Sequence, residues 1–246
     1  MQFDKAAYKT AKERIISLIK DSHDWENTEG FIADGVICPD VYEKQPLRIL
    51  CILAESYGYD GDGMVEIEDQ PKDDIMGLGN HTVQTPRRLA CMLSVLQGAI
   101  EKGAMPKLEE WCALKLFTQS EGNTAILQEA LSKVAWINVK KASRGNGTEL
   151  DNAEAQAHAR RNREILREQI EAIAPDLIII CGEAAFRALH EMSLLGPETM
   201  LARKWRIQGA GGGIPRVIEV THPGYLKWAK YEELYRIAET IYTQIA

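Results

Sequence analysis

No two of the five cysteines (residues 38, 51, 91, 112 and 181) are spaced as CxxC, and their number is odd. That argues against a disulfide framework and against the chelating sets that hold zinc or an iron–sulfur cluster. Cys51 and Cys181 sit inside apolar runs, so free buried thiols in a reducing cytoplasm are expected, with no metal and no cofactor. No apolar run approaches the roughly 20 residues that cross a bilayer. The opening MQFDKAAYKTAKERIISLIK also lacks the apolar block and small-residue cleavage site of a signal peptide. It reads as an amphipathic helix whose apolar side holds Ile15, Ile16, Leu18 and Ile19. No membrane partner is expected. Positive charge is in deficit too: 29 Lys and Arg stand against 36 Asp and Glu, a net charge of −7. Such a chain is not globally drawn to nucleic acid, so contact with DNA would need a local basic rim.

Internal repeats and low-complexity tracts are missing as well. With 246 residues, 45% of them hydrophobic, the chain is long enough for one substantial core. A single domain over 1–246 is expected, monomeric, with a helical extension up to about residue 46.

What is present is an alternation of apolar runs and helical periods. Leu47–Leu53 (LRILCIL), Val134–Val139 (VAWINV), Leu177–Cys181 (LIIIC) and Arg216–Thr221 (RVIEVT) are short and rich in β-branched residues, without a clean two-residue alternation. That is the signature of strands covered on both faces. Helical patterns separate them: Pro86–Lys102, Thr124–Ser132, a long one over about Asp151–Ala174, then Glu183–Met192 and Tyr225–Ile245. Asp151 and Glu154 suit a capping box, and Pro175 ends the long helix. The order predicts an α/β fold: a three-layer α/β/α sandwich around a four-stranded, mainly parallel sheet. Residues 21–46 read as an irregular lead-in, and 57–84 as an acidic, glycine-rich loop.

In open α/β sheets ligands bind beyond the carboxyl ends of the strands. Those ends read Ala54-Glu55-Ser56-Tyr57-Gly58, Asn138-Val139-Lys140-Lys141, Gly182-Glu183 and His222-Pro223-Gly224. An acid, an amide, a glycine turn and an imidazole thus fall on one expected rim. In this order the four segments resemble the uracil-DNA glycosylase superfamily, over about residues 47–228. The resemblance implies that Glu55 positions or activates the attacking water and that Asn138 reads the flipped base. It implies further that Pro175-Asp176-Leu177-Ile178-Ile179-Ile180-Cys181-Gly182-Glu183-Ala184-Ala185 is the third strand with its glycine turn, and that Thr221-His222-Pro223-Gly224 is the last motif. Three departures stand out: Ala54 replaces the usual glycine, Tyr57 a proline and Gly224 a serine. The four cysteines of the iron–sulfur subfamilies are missing.

The residue types suit the chemistry. Loss of a base from deoxyribose passes through an oxocarbenium-like state, positive on the sugar and negative on the departing base. Glu55 can stabilise the cation and orient water, and His222 can donate a hydrogen bond where negative charge collects. Asn138 offers a donor and an acceptor to a base edge. Ser56, Tyr57, Gly58, Gly182 and Gly224 are the accompanying substrate-side positions. Lys140, with Lys141 and Arg144, is expected to meet phosphate. Each residue also has a plainer reading. Glu55 can be a helix-start acid or half of an ion pair, His222 a turn residue, and Asn138 a core amide bonded to backbone. Arg160, Arg161, Arg163 and Arg167 read as a solvated, salt-bridged helix face. Gly209–Gly213 lacks the Lys-Ser/Thr of a P-loop and reads as a surface loop. His81 and Asn80 are candidate pocket residues from the long loop. Two functions follow: a hydrolase acting on a uracil-type base in DNA, or a non-catalytic binder of DNA, a nucleotide or a nucleobase-containing ligand. An unrelated small-molecule enzyme of the α/β class is a third.

Overall fold

The computed structural model describes residues 3–21, 31–55, 64–66, 84–116, 121–141, 152–191, 215–223 and 231–246. The chain divides into two compact units, one made of residues 1–69 and 134–221, the other of 70–133 and 222–246.

The first unit is built on the four expected strands, here β3 (Ile49–Glu55), β5 (Val134–Lys140), β6 (Leu177–Cys181) and β7 (Arg216–Val220). All four run parallel. Apolar side chains are buried on both alternate sets of positions, such as Leu50 and Ile52 on one and Ile49, Cys51 and Leu53 on the other. This explains the absence of alternation in the sequence. The lead-in is less irregular than expected. It forms β1 (Phe31–Ala33), β2 (Gly35–Val36) and then a short helical segment, Pro39–Tyr42.

 That last segment is helix α2 (Pro39–Tyr42), whose proline at the first helical position fixes the entry. Strand β2 adds to the sheet antiparallel to β5, so the sheet has five strands in the order β2-β5-β3-β6-β7. The α/β class and the mainly parallel sheet are as expected. The fifth strand is two residues long, below what a period reading can detect. Strand β1 pairs separately, in parallel, with β4 (Met64–Glu66).

Helix α1 (Lys5–Lys20) starts at Asp4, whose carboxylate accepts the N–H groups of Ala6 and Ala7 at 2.9 and 3.0 Å. Its Ile15 and Ile19 pack with Ala33 and Ile165. The expected long helix is two helices, α6 (Asn152–Arg161) and α7 (Arg163–Ile173). The break is at Asn162, a buried residue with φ −95° and ψ 14°. Asparagine has little preference for a helix interior, since its amide competes for backbone partners. Ala174 closes α7 in the left-handed conformation, and Pro175 follows. Asp151 lies outside the described residues, and so does its half of the capping box. Helix α8 (Glu183–Glu191) follows β6 directly. One sheet face, through Leu50, Ile52, Ile137, Ile178 and Ile180, shares its core with Ala155, Ala159, Leu166, Ile170 and Leu189 of α6, α7 and α8. Of the arginine-rich stretch, Arg167 pairs with Glu164 at 2.5 Å, and Glu168 on the same helix meets Arg14 of α1 at 3.1 Å.

The second unit is helical among its described residues: α3 (Gln84–Lys102), α4 (Leu108–Ala113), α5 (Glu121–Ser132) and α9 (Tyr231–Ile245). Helix α3 packs on α5 and α9. Gln97 of α3 donates to the carbonyl of Ala130 at 2.9 Å, and Tyr235 of α9 donates to that of Pro106 at 2.6 Å. No helix among the described residues is long and apolar enough to cross a membrane. All five cysteines are free thiols. Burial pushes Cys51 and Cys91 up to about 12, so these two are packing groups and not nucleophiles.

Candidate functional site

Because β3, β5, β6 and β7 are parallel, their carboxyl ends lie along one edge of the sheet. On the two central strands the register is explicit. Leu53 pairs with Asn138 and Glu55 pairs with Lys140. The backbone thus brings the acid position and the amide position to neighbouring strand ends. Gly182 follows β6, with φ 98°, a conformation that glycine adopts without strain; its N–H donates to Val220 O at 2.8 Å, tying the turn to the end of β7.

Asn138 is nearly sealed from solvent, at 4% exposure. Its partner is a residue that the sequence reading passed over. Asp34, between β1 and β2, accepts the backbone N–H of Asn138 at 2.6 Å and its side-chain Nδ2 at 3.2 Å, both on Oδ2. The other oxygen, Oδ1, accepts Lys141 Nζ at 2.8 Å and Gln169 Nε2 at 3.0 Å. Gln169 Nε2 also reaches the Asp34 carbonyl at 3.2 Å. One carboxylate therefore ties together the β1–β2 junction, the end of β5 and helix α7. The plainer reading of Asn138, an amide bonded to core backbone, is half right: it is in the core, but its side chain bonds a carboxylate.

Two acceptors in this cluster are buried and without a hydrogen-bond partner among the described residues, Asn138 Oδ1 and Gln169 Oε1. A buried acceptor left unmade costs about 1–3 kcal/mol. Lys141 and Asp34 are each about 1% exposed at the side chain. Burial pulls the Lys141 ammonium below its ordinary pKa, and the attraction of Asp34 works against that. The phosphate contact expected of Lys141 gives way to this internal pair, since its charge is already matched. Lys140 is buried as well, where a phosphate contact calls for an exposed cation.

His222 belongs to the second unit. It is partly buried, and burial lowers its imidazole to about 4. The ring is therefore neutral at pH 7, able to donate from one nitrogen and accept at the other. The next residue is fixed by a second group absent from the sequence reading: Arg88 Nη1 of α3 donates to the carbonyl of Pro223 at 3.1 Å. Arg88 is itself buried, and burial lowers its guanidinium from the usual value.

Ser56, Tyr57, Gly58 and Gly224 lie outside the described residues, together with Asn80, His81, Arg144 and Gly209–Gly213. Glu55 is described as the last position of β3. Asp34 had one signal in the sequence, an acid inside the short apolar stretch FIADGVI. Arg88 had none that separates it from Arg87 beside it.

A family model described as the uracil DNA glycosylase superfamily matches residues 95–242. The matched span contains Asn138, Gly182, His222 and Gly224, and it begins downstream of Glu55. No curated protein matches the chain.

Proposed function

Because the chain belongs to the uracil DNA glycosylase superfamily, we propose that it is a DNA glycosylase-like hydrolase that cleaves the N-glycosidic bond of a deaminated, uracil-type base. The observation that carries the reading is the register of β3 and β5, which sets positions 55 and 138 at adjacent ends of central parallel strands. A sugar that turns cationic needs an acid near it, and the base that leaves needs a group that reads its edge.

In this reading Glu55 stabilises the oxocarbenium-like sugar and orients the attacking water. His222 donates a hydrogen bond to the base oxygen on which negative charge collects. A neutral donor suits that task, because it is already in place at pH 7 and gives up no proton. Asn138 reads the base edge. Gly182 supplies the close backbone turn at the end of β6, Ser56, Tyr57, Gly58 and Gly224 are the remaining substrate-side positions in this reading, and Lys140 pairs in register with Glu55. The base must leave the stack first, at a cost of a few kcal/mol. The partner is DNA, and with a net charge of −7 its contacts are local ones.

The second reading, binding of a base or DNA without cleavage, is favoured by one observation: the family match does not reach Glu55. A panel of single- and double-stranded oligonucleotides carrying uracil, hypoxanthine or xanthine, scored for alkali-labile sites, separates the two. Release of at least one base supports the hydrolase. Tight binding without release moves the assignment to the binder, and the absence of both release and binding removes both readings.

A further inference from the structure

Resting on the reading of Asn138 as the base-reading residue, we propose that Asp34 is the positioning residue that fixes the Asn138 amide and so decides which base edge the chain accepts. A primary amide is nearly symmetric in shape, and rotating it by half a turn exchanges its oxygen and nitrogen. A free asparagine can therefore present either polarity to a ligand. Asn138 is not free in this sense. A carboxylate only accepts hydrogen bonds, and Asp34 Oδ2 stands 3.2 Å from Nδ2. The flipped amide would set two acceptor oxygens against each other.

The carboxylate cannot swing away to relieve that clash. The same Oδ2 holds the backbone N–H of Asn138 at 2.6 Å. On its other side Oδ1 is held by Lys141 at 2.8 Å and Gln169 at 3.0 Å. Lys141 and Asp34 face each other with both side chains about 1% exposed, so the pair is held from both sides. What remains for a ligand is Asn138 Oδ1, buried and unpartnered among the described residues, together with the second hydrogen on Nδ2.

An acceptor beside a donor matches an imide edge, where a ring N–H lies next to a carbonyl. Uracil carries that edge. Cytosine has the same outline with the polarity reversed, a bare ring nitrogen beside an amino group. Against a fixed amide, cytosine sets acceptor on acceptor and donor on donor. A site with committed hydrogen bonds rejects such a mismatch far more strongly than a change of size. Sealing a charged cluster into the base of the strand end serves this end, whereas an apolar residue would hold β2 against β5 equally well.

The first test needs no variant. Protein labelled with 15N-asparagine shows the side-chain NH2 of Asn138, and a held Nδ2 gives slow solvent exchange on one of its two protons. Rapid exchange of both protons in the folded wild type overturns the proposal. The second test compares cleavage of uracil and of cytosine, each in the same single-stranded oligonucleotide, by wild type and Asp34→Asn. An asparagine at 34 lets both amides rotate together, so the preference for uracil over cytosine is expected to fall about 10–100-fold. The paired variant Asp34→Asn with Lys141→Met, which buries no net charge, stands in if the single change does not fold. A folded variant with an unchanged preference overturns the proposal. If wild type releases neither base, the glycosylase reading fails on its own. The relative affinity of wild type and variant for the two oligonucleotides then judges Asp34: a preference that collapses supports it, and one that persists overturns it.

Discussion

Arg48 grips Asp176 from three atoms: its backbone N and side-chain Nε reach Oδ2 at 3.0 and 2.8 Å, and Nη2 reaches Oδ1 at 2.7 Å. The pair joins the residues just ahead of β3 and β6. Burial alone would raise the Asp176 carboxyl, but the hydrogen bonds from Arg48 outweigh it and hold the pKa below the usual value. A depressed carboxylate contributes stability above its unfolded pKa, near 4, and that contribution is lost as pH falls through the folded value. Asp176→Asn should cost about 1–2 kcal/mol at pH 7, at the lower end for such a pair because Asp176 is 36% exposed at the side chain and solvent screens it. Urea unfolding at pH 7 and pH 3 checks this: the gap between wild type and variant should narrow in acid, and a gap of equal size at both pH values removes the ion pair as its source.

Gly35 meets the N-terminal helix at Tyr8. The Tyr8 hydroxyl accepts the Val36 N–H at 2.8 Å, and a methyl group on Gly35 would overlap that oxygen. Gly35→Ala should therefore destabilise the fold by about 1–3 kcal/mol, as overpacking does. Tyr8→Phe removes the oxygen and opens the space, at the cost of the hydrogen bond. A double-mutant cycle on melting temperatures should show the two changes together costing less than their sum. Strict additivity would mean that the two residues do not press on each other.

His222 makes the native state sensitive to acid. Its folded pKa, about 4, lies below the unfolded value near 6.5, so between these limits the unfolded chain binds more protons. Stability supplied by the neutral ring is complete above about pH 6.5 and is lost as pH falls towards 4, reaching about 3 kcal/mol at most. His222→Asn does not titrate there. Denaturant unfolding from pH 7 to 4 should show wild type losing stability faster than this variant, and parallel curves would contradict the buried, neutral imidazole.

Glu55→Gln keeps the shape of the residue at the end of β3 and removes its charge. Base release should fall by about two to four orders of magnitude, the scale for groups that manage protons and charge in a transition state. The melting temperature should move little, since the substitution keeps the size of the side chain. A clear loss of stability with release unimpaired would sink the catalytic role and favour the binding reading.

The strands were legible because each is a short apolar run, and burial on both faces is what such runs encode. Leu177–Cys181 has the same ends in sequence and structure. The split of the long helix was not legible, because one asparagine at 162 in a sequence of good helix formers looks tolerable until its backbone angles are known. The site divides along a similar line. Residues that follow strands, such as Gly182 and His222, are marked by where the apolar run stops. Asp34 is defined by partners 104 and 107 residues away, and no local pattern announces a contact of that range. Burial of Lys141 is hidden for the same reason, since a lysine after a strand reads as solvent-facing until a distant carboxylate is found to meet it.

The order of the sheet has a consequence for synthesis on the ribosome. Strand β3, central in the sheet, has its neighbours β5 and β6 far later in the chain, with Ile49 pairing to Val134 and Leu177. Until those residues emerge, the apolar strand has both hydrogen-bonding edges open, the condition under which nascent chains pair wrongly or aggregate. Contacts of such long range also make folding slow. Nascent chains stalled before residue 134 should be cut readily by protease at the LRILCIL segment, and chains released after β6 should resist.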